Sequence, residues 1–237
     1  MNELDFSGKA VLVVGGSSGI GNGIAHTFLE RGAAVHVWGT RASAADYDGV
    51  EGSDVHLAIG DRAQVAAAAG PPALDVLILC QGTVVYRRGE FEPEGWDRVM
   101  AVNLDSLMSC AMKFHDTLAA RKGVIVIVSS VSGYTSNRGN PAYAASKAGA
   151  VSLTKTLGQA WARDGIRVVG LAPGLVDTKL TKVTTEHPER REGALRSIPV
   201  GRMGTPADMA GAALFLASPL AAYVVGHTLI VDGGLSL

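Results

Sequence analysis

Tyr143 and Lys147 lie four residues apart in Tyr143-Ala144-Ala145-Ser146-Lys147, within Tyr143–Asp164, where the spacing of apolar residues predicts a long helix. Residues at i and i+4 share one helix face. A free tyrosine ionises near pH 10, too high for easy proton exchange at neutral pH. A neighbouring ammonium favours the phenolate, so Lys147 is expected to lower the pKa of Tyr143 and let it trade a proton with a substrate oxygen. Ser130 stands 13 residues before Tyr143, at the end of a predicted strand, where it can hydrogen-bond the same oxygen as charge develops on it. Each residue alone has a plainer reading: a solvated helix face for the Tyr–Lys pair, a turn former for the serine.

The second chemical signal is Gly15-Gly16-Ser17-Ser18-Gly19-Ile20-Gly21, which follows a predicted strand and opens a predicted helix. Glycines there allow a tight turn and a close approach of backbone to a pyrophosphate, while the helix N-terminus offers free N–H groups and the positive end of its dipole. The loop is not a P-loop, because no Gly-Lys-Ser/Thr follows, and its spacing is not the common G-x-G-x-x-G.

Positioning these groups falls to short apolar runs that alternate with helical stretches. Strands are expected at Lys9–Val14, Ala34–Trp38, Asp54–Ile59, Leu74–Leu79, Val124–Ser129, Arg167–Ala172 and His227–Val231. Helices are expected at Gly21–Arg31, Pro93–Arg121, Tyr143–Asp164 and Pro206–Ala217, with barely two turns in Ala63–Ala73 and a polar, irregular stretch at Thr178–Arg196. This alternation predicts an α/β fold, a doubly wound parallel sheet of Rossmann type in a single domain over 1–237. Ligands of such sheets bind at the carboxyl ends of the strands.

Composition narrows the partners. Hydrophobic residues make up 47% of the 237 and charged residues 18%, a balance that favours a large core over disorder. The net charge of -1 gives no basic excess for nucleic acid. No apolar run approaches a membrane span, the start is acidic where a secretory leader would be basic, and two cysteines, Cys80 and Cys110, cannot build a disulfide scaffold. A cytoplasmic location is expected. The six histidines show no close metal-ligand spacing, so no metal is expected.

Taken together, the glycine loop, Asn103 in Ala-Val-Asn-Leu, Ser130 in Val-Ser-Ser-Val-Ser-Gly, Tyr143 with Lys147, the run Pro173-Gly174-Leu175-Val176-Asp177-Thr178 and the closing Val231-Asp232-Gly233-Gly234 resemble the signatures of the short-chain dehydrogenase/reductase family, in order and over residues 6 to 237. Its 3-oxoacyl-carrier-protein reductase-like and sugar- or polyol-dehydrogenase-like members are the nearest in kind. The resemblance implies hydride transfer between NAD(P)(H) and a secondary alcohol or ketone, with Asn103, Ser130, Tyr143 and Lys147 catalytic. It implies cofactor contacts from Gly15, Ser17, Ser18, Gly19, Ile20, Gly21, Ile59, Gly82, Tyr143, Lys147, Pro173, Gly174, Val176 and Thr178. Asn103 would hold a water linking Lys147 to solvent, and Ile59 would pack on the adenine. Residues of about 178–198 would form a substrate lid, and a homotetramer is implied.

The chain departs from the family pattern in supporting positions. Val14 stands for a threonine, Leu79-Cys80-Gln81-Gly82 for Asn-Asn-Ala-Gly, Ala58 for an aspartate, Val169 for an asparagine and Ala160 for a glutamate. After the second strand comes Gly39-Thr40-Arg41 in place of the ribose-binding acid of NAD enzymes, so NADP is favoured over NAD, with Thr40 and Arg41 toward its 2′-phosphate. Tyr86, Arg87, Arg88, Tyr134, Asn137 and Arg138 would border a polar pocket for a hydroxylated or anionic substrate. Two alternatives stand beside this reading: a nucleotide-binding sensor or scaffold with little turnover, and a 3-oxoacyl thioester reductase.

Overall fold

The computed structural model describes residues 3–40, 54–56 and 59–237, with the backbone alone for 54–56. Among the described residues, seven strands form one parallel sheet in the order β3-β2-β1-β4-β5-β6-β7. They are β1 Ala10–Val14, β2 Ala34–Gly39, β3 Asp54–His56, β4 Val76–Leu79, β5 Val124–Val128, β6 Arg167–Pro173 and β7 Thr228–Val231. The strand order reverses between β1 and β4, so the switch point lies where the glycine loop and the loop after β4 leave the sheet.

The helices are α1 Gly19–Glu30, α2 Arg62–Ala67, α3 Pro93–Met100, α4 Ser106–Lys113, α5 His115–Arg121, α6 Pro141–Trp161, α7 Lys182–Thr185, α8 Pro188–Ser197 and α9 Pro206–Ala217. They cover both faces, as the strands require. Val11 and Val13 of β1 pack with Ile24 and Phe28 of α1 and Met209 of α9. Leu12 and Val14 face the other way, toward Leu107 of α4, Leu118 of α5 and Leu157 of α6. Alternate residues of β4 divide in the same manner, Val76 and Ile78 against Leu77 and Leu79. A strand buried on both faces must be apolar throughout, which is why these runs do not alternate with polar residues.

Two expected elements take a different form. Pro93–Arg121 is not one helix: a π-helical segment, Ala101–Asp105, interrupts it, and it breaks again at Phe114. The widened turn carries Asn103 into the interior, and Phe114 packs on Trp38 with ring centroids 5.3 Å apart. The stretch expected to be irregular is largely helical: a 3-10 turn, Lys179–Thr181, leads into α7 and α8. Pro188 opens α8, and Lys182–Glu186 and Arg196–Glu192 pair along the helix faces at 3.2 and 2.7 Å. None of the α8 residues is buried, so apolar periodicity could not reveal it. Of the expected third strand, Asp54–His56 forms β3 and Ile59 lies in a turn, while residues 57–58 lie outside the described residues.

At the opposite end of the sheet, Asp75 joins three elements. Its carboxylate accepts from the Ala10 N–H at 3.0 Å and meets Lys9 and Arg121, each at 3.2 Å. Burial pushes its pKa up, but the Ala10 N–H and the two cations outweigh that and hold it below the usual carboxylate value.

Candidate active site

A cleft of about 660 Å³ opens at the carboxyl ends of β1, β2, β4, β5 and β6. Its lining gathers Gly15, Ser17, Ser18, Gly19, Ile20 and Gly21 from the first loop, Thr40 from the end of β2, and Ile59. Gly82 follows β4, Ser130 follows β5, Tyr143 and Lys147 come from α6, and Pro173, Gly174, Val176 and Thr178 follow β6. Residues far apart in sequence thus converge as the motifs suggested. Arg41 and Ala58 lie outside the described residues.

Asn103 stands apart. It is fully buried and lies behind the cleft wall, with its amide committed to protein partners. Its Oδ1 accepts from the Thr83 N–H at 2.7 Å, and its Nδ2 donates to the Thr83 carbonyl at 2.9 Å and to Ser146 Oγ at 3.2 Å. Both amide hydrogens are therefore used, and Asn103 fastens the loop after β4 to α6.

The polar group at the mouth is tightly held. Ser130 Oγ accepts from the Ser132 N–H at 3.1 Å, and its hydroxyl lies beside the Tyr143 phenol. Lys147 Nζ is buried and donates to the Val128 carbonyl at 3.0 Å, 5.7 Å from the Tyr143 ring centroid. Burial lowers the Lys147 pKa to about 8. The expected depression of Tyr143 is not found. Burial raises its pKa, the adjacent Ser130 hydroxyl opposes, and the charges of Tyr86, Cys80 and Glu90 add to the rise. Desolvation wins because Lys147 directs its ammonium to a carbonyl and is itself desolvated. At neutral pH Tyr143 is a phenol, able to give a proton. Cys80 is an inert thiol, pushed up to about 11 by burial.

The glycine loop leaves little room for side chains. A Cβ on Gly15, whose φ is +81°, would fall 2.6 Å from the Gln81 backbone nitrogen, and one on Gly21 would fall 2.3 Å from the Gly15 carbonyl oxygen. Only backbone can occupy this corner. Ser18 caps α1 without a side-chain hydrogen bond, and the first turn carries no acid, so its N–H groups are available to an anion. At the other end Ile59 and Trp38 give an apolar wall next to exposed Thr40. A flat heterocycle, a diphosphate and a second ring fit this sequence of surfaces, which are the parts of a nicotinamide dinucleotide.

Two lining residues, Arg98 and Asp61, carried no recognisable signal, whereas Lys179–Thr181 fall in the expected lid segment. Arg98 and Asp61 reach the Ile59 end of the cleft, and Lys179, Leu180 and Thr181 close over the other. Asp61 is spent as the cap of α2, accepting from Ala63 N and Gln64 N at 2.9 and 3.3 Å. The Tyr86 hydroxyl donates to the Leu180 carbonyl. Gln81, where the family pattern has alanine, donates to Ser106 Oγ at 2.8 Å, and its Oε1 has no partner. Val14, Leu79 and Val169, at positions the family pattern makes polar, are buried in the apolar cores.

Fold and cleft together define a nicotinamide-dependent oxidoreductase. Residues 14–236 match the family model described as enoyl-(acyl carrier protein) reductase. The chain is 37% identical over 254 residues to the 3-oxoacyl-[acyl-carrier-protein] reductase FabG of Chlamydia muridarum, covering all of both chains. It is 40% identical over 240 residues to galactitol 2-dehydrogenase (L-tagatose-forming) of Cereibacter sphaeroides, covering 96% of this chain and 94% of that one. Its fold superposes with a TM-score of 0.90 on gluconate 5-dehydrogenase of Burkholderia cenocepacia, crystallised with NADP and tartrate, at 31% identity over 98% of each chain. The chain belongs to the short-chain dehydrogenase/reductase family.

Proposed function

We propose that this protein is an NADP-dependent dehydrogenase of a small hydroxylated substrate, with Tyr143 as general acid and base. The observation that carries the reading is the convergence of Ser130, Tyr143 and buried Lys147 in one cleft with the glycine loop. When bound, the nicotinamide supplies or accepts the hydride. Ser130 orients the substrate oxygen, and Tyr143 gives it a proton in the reducing direction and takes one in the oxidising direction. Lys147 holds the ribose side and keeps positive charge near the phenol. Asn103 acts from behind, fixing Thr83 and Ser146 around Lys147. The cofactor contacts are the cleft-lining residues named above.

Preference for NADP rests on the end of β2, where Gly39 leaves space and Thr40 is exposed, and on the cation Arg98 in the cleft. Arg41 would add to it from the segment that follows. Tyr86 and Tyr134, both exposed, support a polyol or sugar-acid substrate. Residues 178–198 would form its lid on a single domain spanning 1–237, tied to the cleft by the Tyr86–Leu180 hydrogen bond. The similarity to 3-oxoacyl-[acyl-carrier-protein] reductases favours a second reading, in which the substrate is a 3-oxoacyl thioester. We further propose a homotetramer in the cytoplasm. Among the described residues no helix is long and apolar enough to cross a membrane.

Titration with NADPH and NADH, followed by turnover with polyols, sugar acids and a 3-oxoacyl thioester, tests the proposal. Tighter NADPH binding and turnover of the hydroxylated compounds are expected. Turnover of the thioester alone would transfer the assignment to the second reading, and binding of neither nucleotide would overturn both.

A further inference from the structure

Glu90 is 1% exposed, less than any other acidic residue among those described, and it does not line the cleft. Burying a carboxylate is unfavourable unless its oxygens are satisfied. Here they are. Its Oε1 accepts from the Val85 N–H at 3.0 Å and from Asn140 Nδ2 at 3.1 Å. Its Oε2 accepts from the backbone N–H of Tyr143 at 2.9 Å. That N–H belongs to the first turn of α6, where helical donors have no partner in the helix. Asn140 caps α6 without bonding the turn itself and donates instead to Glu90 and to the Val85 carbonyl at 3.3 Å. The cap of the helix that carries Tyr143 therefore comes from another wall of the site, 53 residues earlier in the chain.

The approach to Glu90 is forced. Arg87 and Arg88 both have left-handed backbones, with φ of 57° and 63°, a conformation unfavourable for side chains with a Cβ. The 3-10 turn Gly89–Phe91 then seats on α3 so closely that a Cβ on Gly95 would fall 1.9 Å from the Gly89 carbonyl oxygen. Arg88 covers the turn, its guanidinium 4.4 Å from the Phe91 centroid. Two strained residues and a buried charge serve no contact with the cleft itself. What they serve is the backbone of Tyr143.

We propose that Glu90 is a positioning residue for proton transfer, setting the Tyr143 phenol against Ser130 by capping the Tyr143 N–H. The proposal rests on the reading of Tyr143 as the proton donor. The groups facing that phenol are Ser130 after β5, Cys80, Tyr86 and Glu90 from the connection between β4 and α3, and Lys147 on α6. Glu90 is thus one of several contributions to the elevated Tyr143 pKa, smaller than burial.

The test compares wild type, Glu90→Ala, Glu90→Gln and Tyr143→Phe for NADPH affinity, kcat, KM, thermal stability and the pH profile of alcohol oxidation. Rates are normalised to NADPH-binding sites. Glu90→Ala is expected to lower kcat about 10- to 100-fold, the scale of a small misplacement of a reacting group, with NADPH affinity unchanged. Glu90→Gln keeps one acceptor for the Tyr143 N–H and is expected to recover most of kcat. Having lost the negative charge, it should begin its rise of oxidation rate at lower pH. A lower melting temperature with wild-type kcat and an unmoved pH profile would overturn the proposal and make Glu90 a fold-stabilising group alone. If Glu90→Ala does not fold, the Glu90→Gln profile decides by the same criterion. Turnover retained by Tyr143→Phe would overturn the reading of Tyr143 and the proposal with it, whereas its loss beside wild-type Glu90 variants overturns only the proposal.

Discussion

At the Tyr143 end of the cleft, polar side chains are buried and tied to fixed partners: Lys147 to the Val128 carbonyl and Ser130 to the Ser132 N–H. At the Ile59 end the wall is carbon, with Ile59 and Trp38 beside exposed Thr40. One end holds charge and directed hydrogen bonds in a desolvated setting; the other offers shape. Proton transfer requires the first, because a displaced donor loses rate steeply. Holding an aromatic ring requires only apolar area, so the supporting polar residues of the family pattern can be lost there without loss of a pocket.

Substitutions at the two ends should therefore differ in kind. Lys147→Met is expected to have the largest effect, lowering kcat about 10²- to 10⁴-fold, the range for a lost acid–base group, measured as turnover at saturating NADPH. Gly15→Ala attacks the corner between the ends. Its Cβ would press on the Gln81 backbone at a positive φ, and about 1–3 kcal/mol of strain should appear as weaker NADPH binding in a fluorescence titration. Ile59→Ala is expected to weaken NADPH binding by about tenfold through lost apolar contact and to leave kcat at saturation unchanged. A fall in kcat from Ile59→Ala would erase the distinction between the ends.

The pH dependence sharpens it further. On the proposed mechanism, ketone reduction needs the Tyr143 phenol and the Lys147 ammonium. Burial raises the first pKa and lowers the second to about 8, so Lys147 loses its proton first. Reduction is expected to hold at neutral pH and to fall as pH climbs through about 8, while NADPH affinity in Ile59→Ala varies with pH as in wild type. A reduction rate flat well above that point would remove Lys147 from the reacting group.

Much of this arrangement was legible in the chain itself. The strands are near-continuous β-branched runs bounded by turns, and the glycine loop, Ser130, Tyr143 and Lys147 each follow or open an element that places them at one edge of the sheet. What was not legible depends on long-range desolvation or on backbone geometry. The phenol pKa was expected to fall because the i+4 spacing shows an ammonium nearby, but the spacing does not show that both groups are buried. Asn103 reads as a helix residue, and only the π-helical turn takes it inside. Glu90 sits in Arg87-Arg88-Gly89-Glu90, whose arginines read as bordering a polar pocket; two left-handed residues fold the glutamate beneath α6. The α8 helix has no buried face for periodicity to report.

On the proposed mechanism, one cleft binds the nicotinamide cofactor and Tyr143, within it, moves the proton. The most direct test is a side-by-side titration of wild type and Tyr143→Phe with NADPH, followed on the same samples by turnover of the best ketone substrate. Equal NADPH affinity, with turnover lost only in the variant, is the predicted result. Equal turnover in the two proteins would contradict the account.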